Sequence, residues 1–247
     1  MTDLLYEKPF TIRYYEVGPS RLVRPATLLD YLQDAAAEHA SILHIGVQDL
    51  HHRNLTWVLS RLRLTVGRYG GVGETVLVRT WPSRRGNLSS YREFEVLDEA
   101  GTIVARATTA WVVLDLIRRR PVRIADVLHD YPLHSRRAIE DDFAALPRPA
   151  PAAGALRITV RRSDLDMNRH VNNAVYVGWA LESQPEDPAQ SSGPLDIEIG
   201  YRAEALAGDI VLARCVPEEG AAAGSFLHEI VREKDGKELA RLRARWA

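Results

Sequence analysis

The sequence predicts an α+β protein built twice over, each half a helix packed on a curved antiparallel sheet. Three observations carry this. A pattern of glycine, proline and tryptophan recurs at a fixed offset, each copy holds one segment of helical periodicity, and each copy follows it with runs of period-two alternation.

The repeat is clearest in the later part of each copy. Residues 73–82, GETVLVRTWP, resemble residues 208–217, GDIVLARCVP, with 135 positions separating Gly73 from Gly208 and Pro82 from Pro217. The same offset places Gly101 on Gly236 and Trp111 on Trp246. Upstream the offset is 148, which sets FTIRYYEVG at 10–18 on ITVRRSDLD at 158–166 and Arg24-Pro25-Ala26 on Asn172-Asn173-Ala174. The first copy therefore carries 13 extra residues, around EHASILHIGVQDLHH.

In the first copy Pro25, Leu28, Leu29, Leu32, Ala35, Ala36 and His39 recur at helical spacing, so one face of that helix is expected to be buried. Val171, Val175 and Trp179 mark its counterpart. The alternating runs LSRLRLTV at 59–66 and GDIVLARCV at 208–216 read as strands, and Gly70-Gly71, Gly101 and Gly236 as turns. A helix followed by a meander of strands suits one helix lying on one sheet. The stretch 119–156, rich in proline, arginine and alanine, reads as a linker, dividing the chain into halves 1–150 and 151–247.

Composition narrows the function. With 32 basic and 33 acidic residues the formal net charge is -1, which asks for no nucleic-acid partner. The first eight positions mix both charges, unlike a secretory signal or transit peptide, and no stretch approaches the roughly 20 apolar residues of a membrane span. The single cysteine, Cys215, cannot form an intramolecular disulfide, so a reducing cytoplasm is the expected setting, without membrane insertion. Cys215 lies in a strand-like run and reads as structural. His39, His44, His51 and His52 lack neighbouring ligands at a metal-binding spacing, so no metal is expected.

The chemically dense stretch is SDLDMNRHVNNAVYVGWALE, 163–182. Asp166, Asn168 and His170 are spaced by two and project to one side of an extended loop. One polar residue suffices to cap a helix, so three in alternation suggest a site. Asn172 or Asn173 caps the helix that follows, whose free N–H groups favour a developing negative charge.

This stretch resembles the signature of the acyl-ACP thioesterases of plants and bacteria, Asp-x-Asn-x-His-Val-Asn-Asn followed by Tyr and Trp. It stands here as Asp166, Asn168, His170, Val171, Asn172, Asn173, Tyr176 and Trp179, with a second family element at Tyr201-Arg202-Ala203-Glu204. The resemblance implies a tandem double hotdog fold, no cofactor, and hydrolysis of fatty acyl thioesters on acyl carrier protein, ending chain elongation. Plant members place a cysteine after the glutamate; here Ala205 stands there, so hydrolysis through an activated water is expected. The resemblance makes Asp166, Asn168, His170 and Glu204 catalytic: Glu204 as the best candidate for general base, His170 for proton transfer or for orienting the water, Asn168 for the carbonyl or the water, and Asp166 for fixing its neighbours. Leu28, Trp57 and Leu59 of the first half's helix and central strands are expected to line the acyl-chain tunnel, and Asn172 and Asn173, at the helix start, to meet the substrate. At the repeat offsets these four catalytic positions become Gly18, Ser20, Leu22 and Tyr69, so the first half is expected to be catalytically silent and to hold the acyl chain. The carrier is acidic, and Arg84-Arg85, Arg118 to Arg120 or Arg136-Arg137 would serve as its docking patch, though such runs are more often solvated surface. The chain is expected to be a monomer or a homodimer. An acyl-CoA thioesterase of the same fold and a non-catalytic acyl-thioester binding protein stand as alternatives. A hotdog hydratase is disfavoured by the Asn168-x-His170 element and by the placement of Glu204.

Overall fold

A computed structural model describes residues 4–150, 154–184 and 193–246. The first half contributes β1 (Tyr6–Thr11), α1 (Pro25–Ile42), α2 (Val47–His51), β2 (Leu55–Val66), β3 (Thr75–Arg85), β4 (Ser89–Leu97), β5 (Ile103–Asp115), β6 (Arg120–Val122) and α3 (Ile124–Val127). The second contributes β7 (Leu156–Thr159), α4 (Asn173–Glu182), β8 (Asp196–Tyr201), β9 (Ile210–Pro217), β10 (Ser225–Arg232) and β11 (Glu238–Arg245).

The strands form one sheet in the order β1-β3-β4-β5-β2-β8-β11-β10-β9-β7, with β6 paired to β5. Read outward from its middle, each side repeats the same sequence of elements, as the repeat predicts. The halves meet where β2 pairs antiparallel with β8, from Arg61 opposite Gly200 to Thr65 opposite Asp196. The two copies also share loop geometry. Ile12 N–H bonds Glu74 O and Val160 N–H bonds Asp209 O, each at 2.9 Å, while Gly73 and Gly208 hold φ of +86° and +83°, values that glycine adopts without penalty.

One face of the sheet is apolar and carries both helices. Proline at its first turn starts α1, whose Leu28, Leu29, Leu32, Ala35, Ala36 and His39 are buried as their spacing predicts. Beneath them Leu62, Leu64, Val76, Val78, Phe94, Ile197 and Ile199 form a core that runs unbroken across the seam. Here the chain is two structural units and a single hydrophobic body. Among the described residues no helix is long and apolar enough to cross a membrane.

The segment read as a linker behaves differently along its length. Residues 119–131 are ordered structure: β6 extends the sheet, and Ile124, Leu128 and Tyr131 pack with Leu43, Ile45, Leu50, Leu55 and Val113 into a second, smaller core. Leu50 belongs to α2, inside the 13-residue excess of the first half, so that insertion and the chain after β5 bury one another. Basic residues and Pro121 around these few apolar positions masked the pattern. Residues 134–146 cross the face of the sheet opposite the helices, pinned by ions. Arg137 Nε sits 2.7 Å from Glu93 Oε1, Arg136 is bidentate to Glu95 and lies 4.3 Å over the Trp81 ring, and Asp141 meets Arg63 at 2.9 Å. Arg137, read with Arg136 as solvated surface, is a structural clamp instead, since Glu93 is fully buried and needs a partner, while Arg136 stays exposed above Glu95.

Candidate active site

The loop between β7 and α4 is a tight reversal. Asp166 N–H bonds His170 O at 2.8 Å, Arg169 N–H bonds Asp166 O at 3.0 Å, and Arg169 holds a left-handed φ of +63°. Its counterpart in the first half has the same form, with Gly18 N–H on Leu22 O at 3.0 Å and Arg21 also at +63°. The backbone is thus common to both halves and the chemistry is a matter of side chains. Asp164 accepts Arg161 N–H at 2.7 Å and closes the single helical turn that leads into the loop.

Within the loop Asp166 acts as an internal clamp. One carboxylate oxygen accepts the N–H of Asn168 at 2.8 Å and of His170 at 3.3 Å, and the other accepts the Asn168 side-chain amide at 3.2 Å. The imidazole of His170 then meets Glu204 across the fold, with Nε2 3.0 Å from Oε2. Glu204 follows the end of β8, and its neighbour Ala205 anchors the segment. Ala205 N–H bonds the Tyr176 hydroxyl at 2.9 Å, Ala205 O accepts Val171 N–H at 3.2 Å, and Glu204 O accepts from Arg232 at 3.3 Å. Tyr201, whose burial raises its hydroxyl far above the ordinary value, donates to Asn173 O at 3.0 Å. The side chains of His170 and Glu204 are 41% and 37% exposed, so water reaches both.

One participant was invisible in the sequence. Arg119, on the turn between β5 and β6 of the first half, places Nη2 2.6 Å from Glu204 Oε1. Each oxygen of the carboxylate therefore has its own partner, one from each half of the chain.

The other expected residues fall elsewhere. Asn172 caps α4, its side chain accepting Ala174 N–H at 3.0 Å and donating to Asp30 of α1. Asn173 donates to Gln33 of α1 at 3.0 Å, and Gln33 in turn donates to Asn172 at 3.3 Å. Both carboxamides join the two helices, α1 and α4, which run side by side. Leu28 and Leu59 are buried, and a cavity of about 10 Å³ lies beside Leu28. Trp57 is half-buried, its indole N–H on Ile45 O at 2.7 Å. Tyr69, the counterpart of Glu204, is buried with its hydroxyl on Pro194 O at 2.8 Å.

Cys215 is half-buried, and burial pushes its thiol up to about 12. Its neighbour His228, 3.9 Å away and fully buried, is held down to about 4 by the same cause. A protonated thiol beside a neutral imidazole is not an activated nucleophile. Among the described residues no group of three His, Cys, Asp or Glu side chains is arranged to hold a metal ion.

Comparison with known proteins places this geometry. Residues 3–131 match the acyl-ACP thioesterase N-terminal domain and residues 150–247 its C-terminal domain. A palmitoyl-acyl carrier protein thioesterase of Cuphea hookeriana is 31% identical over 259 residues, covering 98% of this chain and 62% of its own length, and an oleoyl-acyl carrier protein thioesterase of Arabidopsis thaliana is 28% identical over 98% of this chain and 76% of its own. The chain thus spans about three-fifths of the first of these relatives. Among solved structures, an acyl-ACP thioesterase from Bacteroides thetaiotaomicron superposes with a TM-score of 0.84 at 25% identity, and the 12:0-ACP thioesterase from Umbellularia californica with 0.83 at 28%, each covering at least 98% of both chains. The fold is a tandem double hotdog, and the chain belongs to the acyl-ACP thioesterase family.

Proposed function

We propose that the chain hydrolyses the thioester of fatty acyl-ACP, releasing the free fatty acid and holo-ACP, with its chemistry in the second half. The single observation that carries this reading is the contact of His170 with Glu204, 34 positions apart in sequence and 3.0 Å apart in space, at a place open to water.

The His170–Glu204 pair acts as one proton-holding unit. It takes a proton from water as the water oxygen bonds to the thioester carbon, and returns it to the sulfur as the carbon–sulfur bond breaks. Asn168, its amide aligned by Asp166, offers an N–H to the carbonyl oxygen as negative charge builds there. A thioester lacks the strong resonance of an amide, so this modest set suffices without a covalent intermediate. The acyl chain lies in the first half between α1 and the sheet. Leu28 and Leu59 are buried and closely packed, so the chain must part the helix from the sheet to reach them, while Trp57 is the more accessible contact. A single cysteine is compatible with a reducing cytoplasm.

The test is hydrolysis of one acyl group presented on acyl carrier protein and on CoA. Preference for the carrier protein is expected; a clear preference for CoA would transfer the reading to an acyl-CoA thioesterase of the same fold.

A further inference from the structure

We infer that Arg119, contributed by the first half, is a positioning residue for the Glu204 carboxylate, so that the half without catalytic residues of its own completes the site of the other. This rests on the reading of Glu204 as half of the proton-holding pair.

The contact is built rather than incidental. Asp115, at the end of β5, accepts the N–H of Ile117 at 2.9 Å and of Arg118 at 2.8 Å through one oxygen, which folds the turn. The turn carries Arg119 in the left-handed region, φ +52°, a conformation that a residue with a side chain adopts only at a cost. Arg118 stays with its own turn, 3.6 Å from Asp115, whereas Arg119 crosses to Glu204 at 2.6 Å. A backbone held against its preference in order to aim one guanidinium at a reacting group is where a functional constraint is expected.

The physical role follows from what a half-exposed carboxylate does otherwise. The last torsion of a glutamate is soft and roughly two-fold, so a carboxylate bonded through Oε2 alone still swings about that bond. A second donor on Oε1 fixes its plane and keeps Oε2 facing His170. Arginine suits this because its guanidinium does not give up a proton near neutral pH and never competes as an acid.

Kinetics of R119A, R119K, E204Q and the R119A/E204Q double variant test this, each on acyl-ACP and on the N-acetylcysteamine thioester of the same acyl group, which lacks both carrier and phosphate. If Arg119 positions Glu204, R119A lowers kcat by about tenfold or more on both substrates with KM within about twofold, while R119K keeps part of the activity. Free guanidinium ion restores R119A, and adding R119A to E204Q causes no further loss. A rise in KM confined to acyl-ACP with kcat unchanged would overturn the inference and make Arg119 a contact for the carrier or its phosphate. Unchanged kinetics on both substrates would overturn it as well. Loss in E204Q with none in R119A would sink the inference alone, whereas wild-type rates in E204Q would sink the reading of Glu204 beneath it.

Discussion

Replacing Glu204 by glutamine separates a catalytic role from a structural one, because the geometry predicts very different sizes for the two effects. Glutamine keeps the volume and one carbonyl oxygen but loses the charge and the proton-accepting oxygen. The partners of Glu204 are open to solvent, Arg119 being 74% and His170 41% exposed, and an exposed ion pair or hydrogen bond is worth about 0.2–1 kcal/mol. Losing both costs roughly 1 kcal/mol, or about 2–4 °C in Tm for a chain of this size. Removing a general base costs at least about 100-fold in kcat, equivalent to about 2.7 kcal/mol in the barrier. Turnover read from the thiol of released holo-ACP, beside thermal unfolding followed by circular dichroism, measures both quantities on one preparation. The reasoning is refuted if kcat of E204Q stays within about threefold of wild type, or if activity falls only in proportion to the unfolded fraction.

Other outcomes follow from single features of the structure. His228 is fully buried and its imidazole is held at about 4 instead of 6.5. The unfolded chain binds that proton below about pH 6.5 and the folded chain refuses it until about pH 4, so the contribution is complete above pH 6.5 and is lost as pH falls toward 4. Urea titrations at pH 7 and pH 4.5 should show His228→Gln losing less stability than wild type between the two, by on the order of 2–3 kcal/mol, and parallel losses would refute this. Arg137→Ala strips the fully buried Glu93 of its cation and should cost about 3–5 kcal/mol, a fall in Tm of roughly 10 °C, with Glu93→Gln restoring part of it in the double variant. Cys215→Ala should leave kcat within about twofold of wild type, and iodoacetamide should label the native thiol far more slowly than a free cysteine at pH 8.5; a large loss of turnover would return the thiol to the mechanism.

Much of this molecule was readable in one dimension, for identifiable reasons. Gly73 with Gly208 and Gly101 with Gly236 mark turns that need positive φ, so the repeat survives at those positions while the strands between them drift. The helical spacing from Leu28 to His39 follows directly from burial of one face. Asp166, Asn168 and His170 lie within five consecutive positions, and Tyr201-Arg202-Ala203-Glu204 carries the partner of His170, so the main cluster could be assembled from two short motifs. Arg119 could not, because nothing local distinguishes it from Arg118 and Arg120, and its partner lies 85 positions away in the other half. The same holds for Arg136 and Arg137, whose ion pairs depend on two buried glutamates of β4 beneath them. Asn172 and Asn173 were ambiguous for a different reason: an asparagine at a helix start looks the same whether it serves the helix or a ligand.

Joining β2 to β8 within one polypeptide has a consequence for how the two copies can change. Two identical subunits meeting at such a seam would come apart on dilution, and any substitution would appear on both sides at once. Covalent linkage removes the concentration dependence and lets each side accept changes the other could not bear, such as Tyr69 with its hydroxyl on Pro194 where the opposite copy keeps an acid. On the function proposed above, one lobe is thereby free to specialise in holding cargo while the other specialises in cutting it loose.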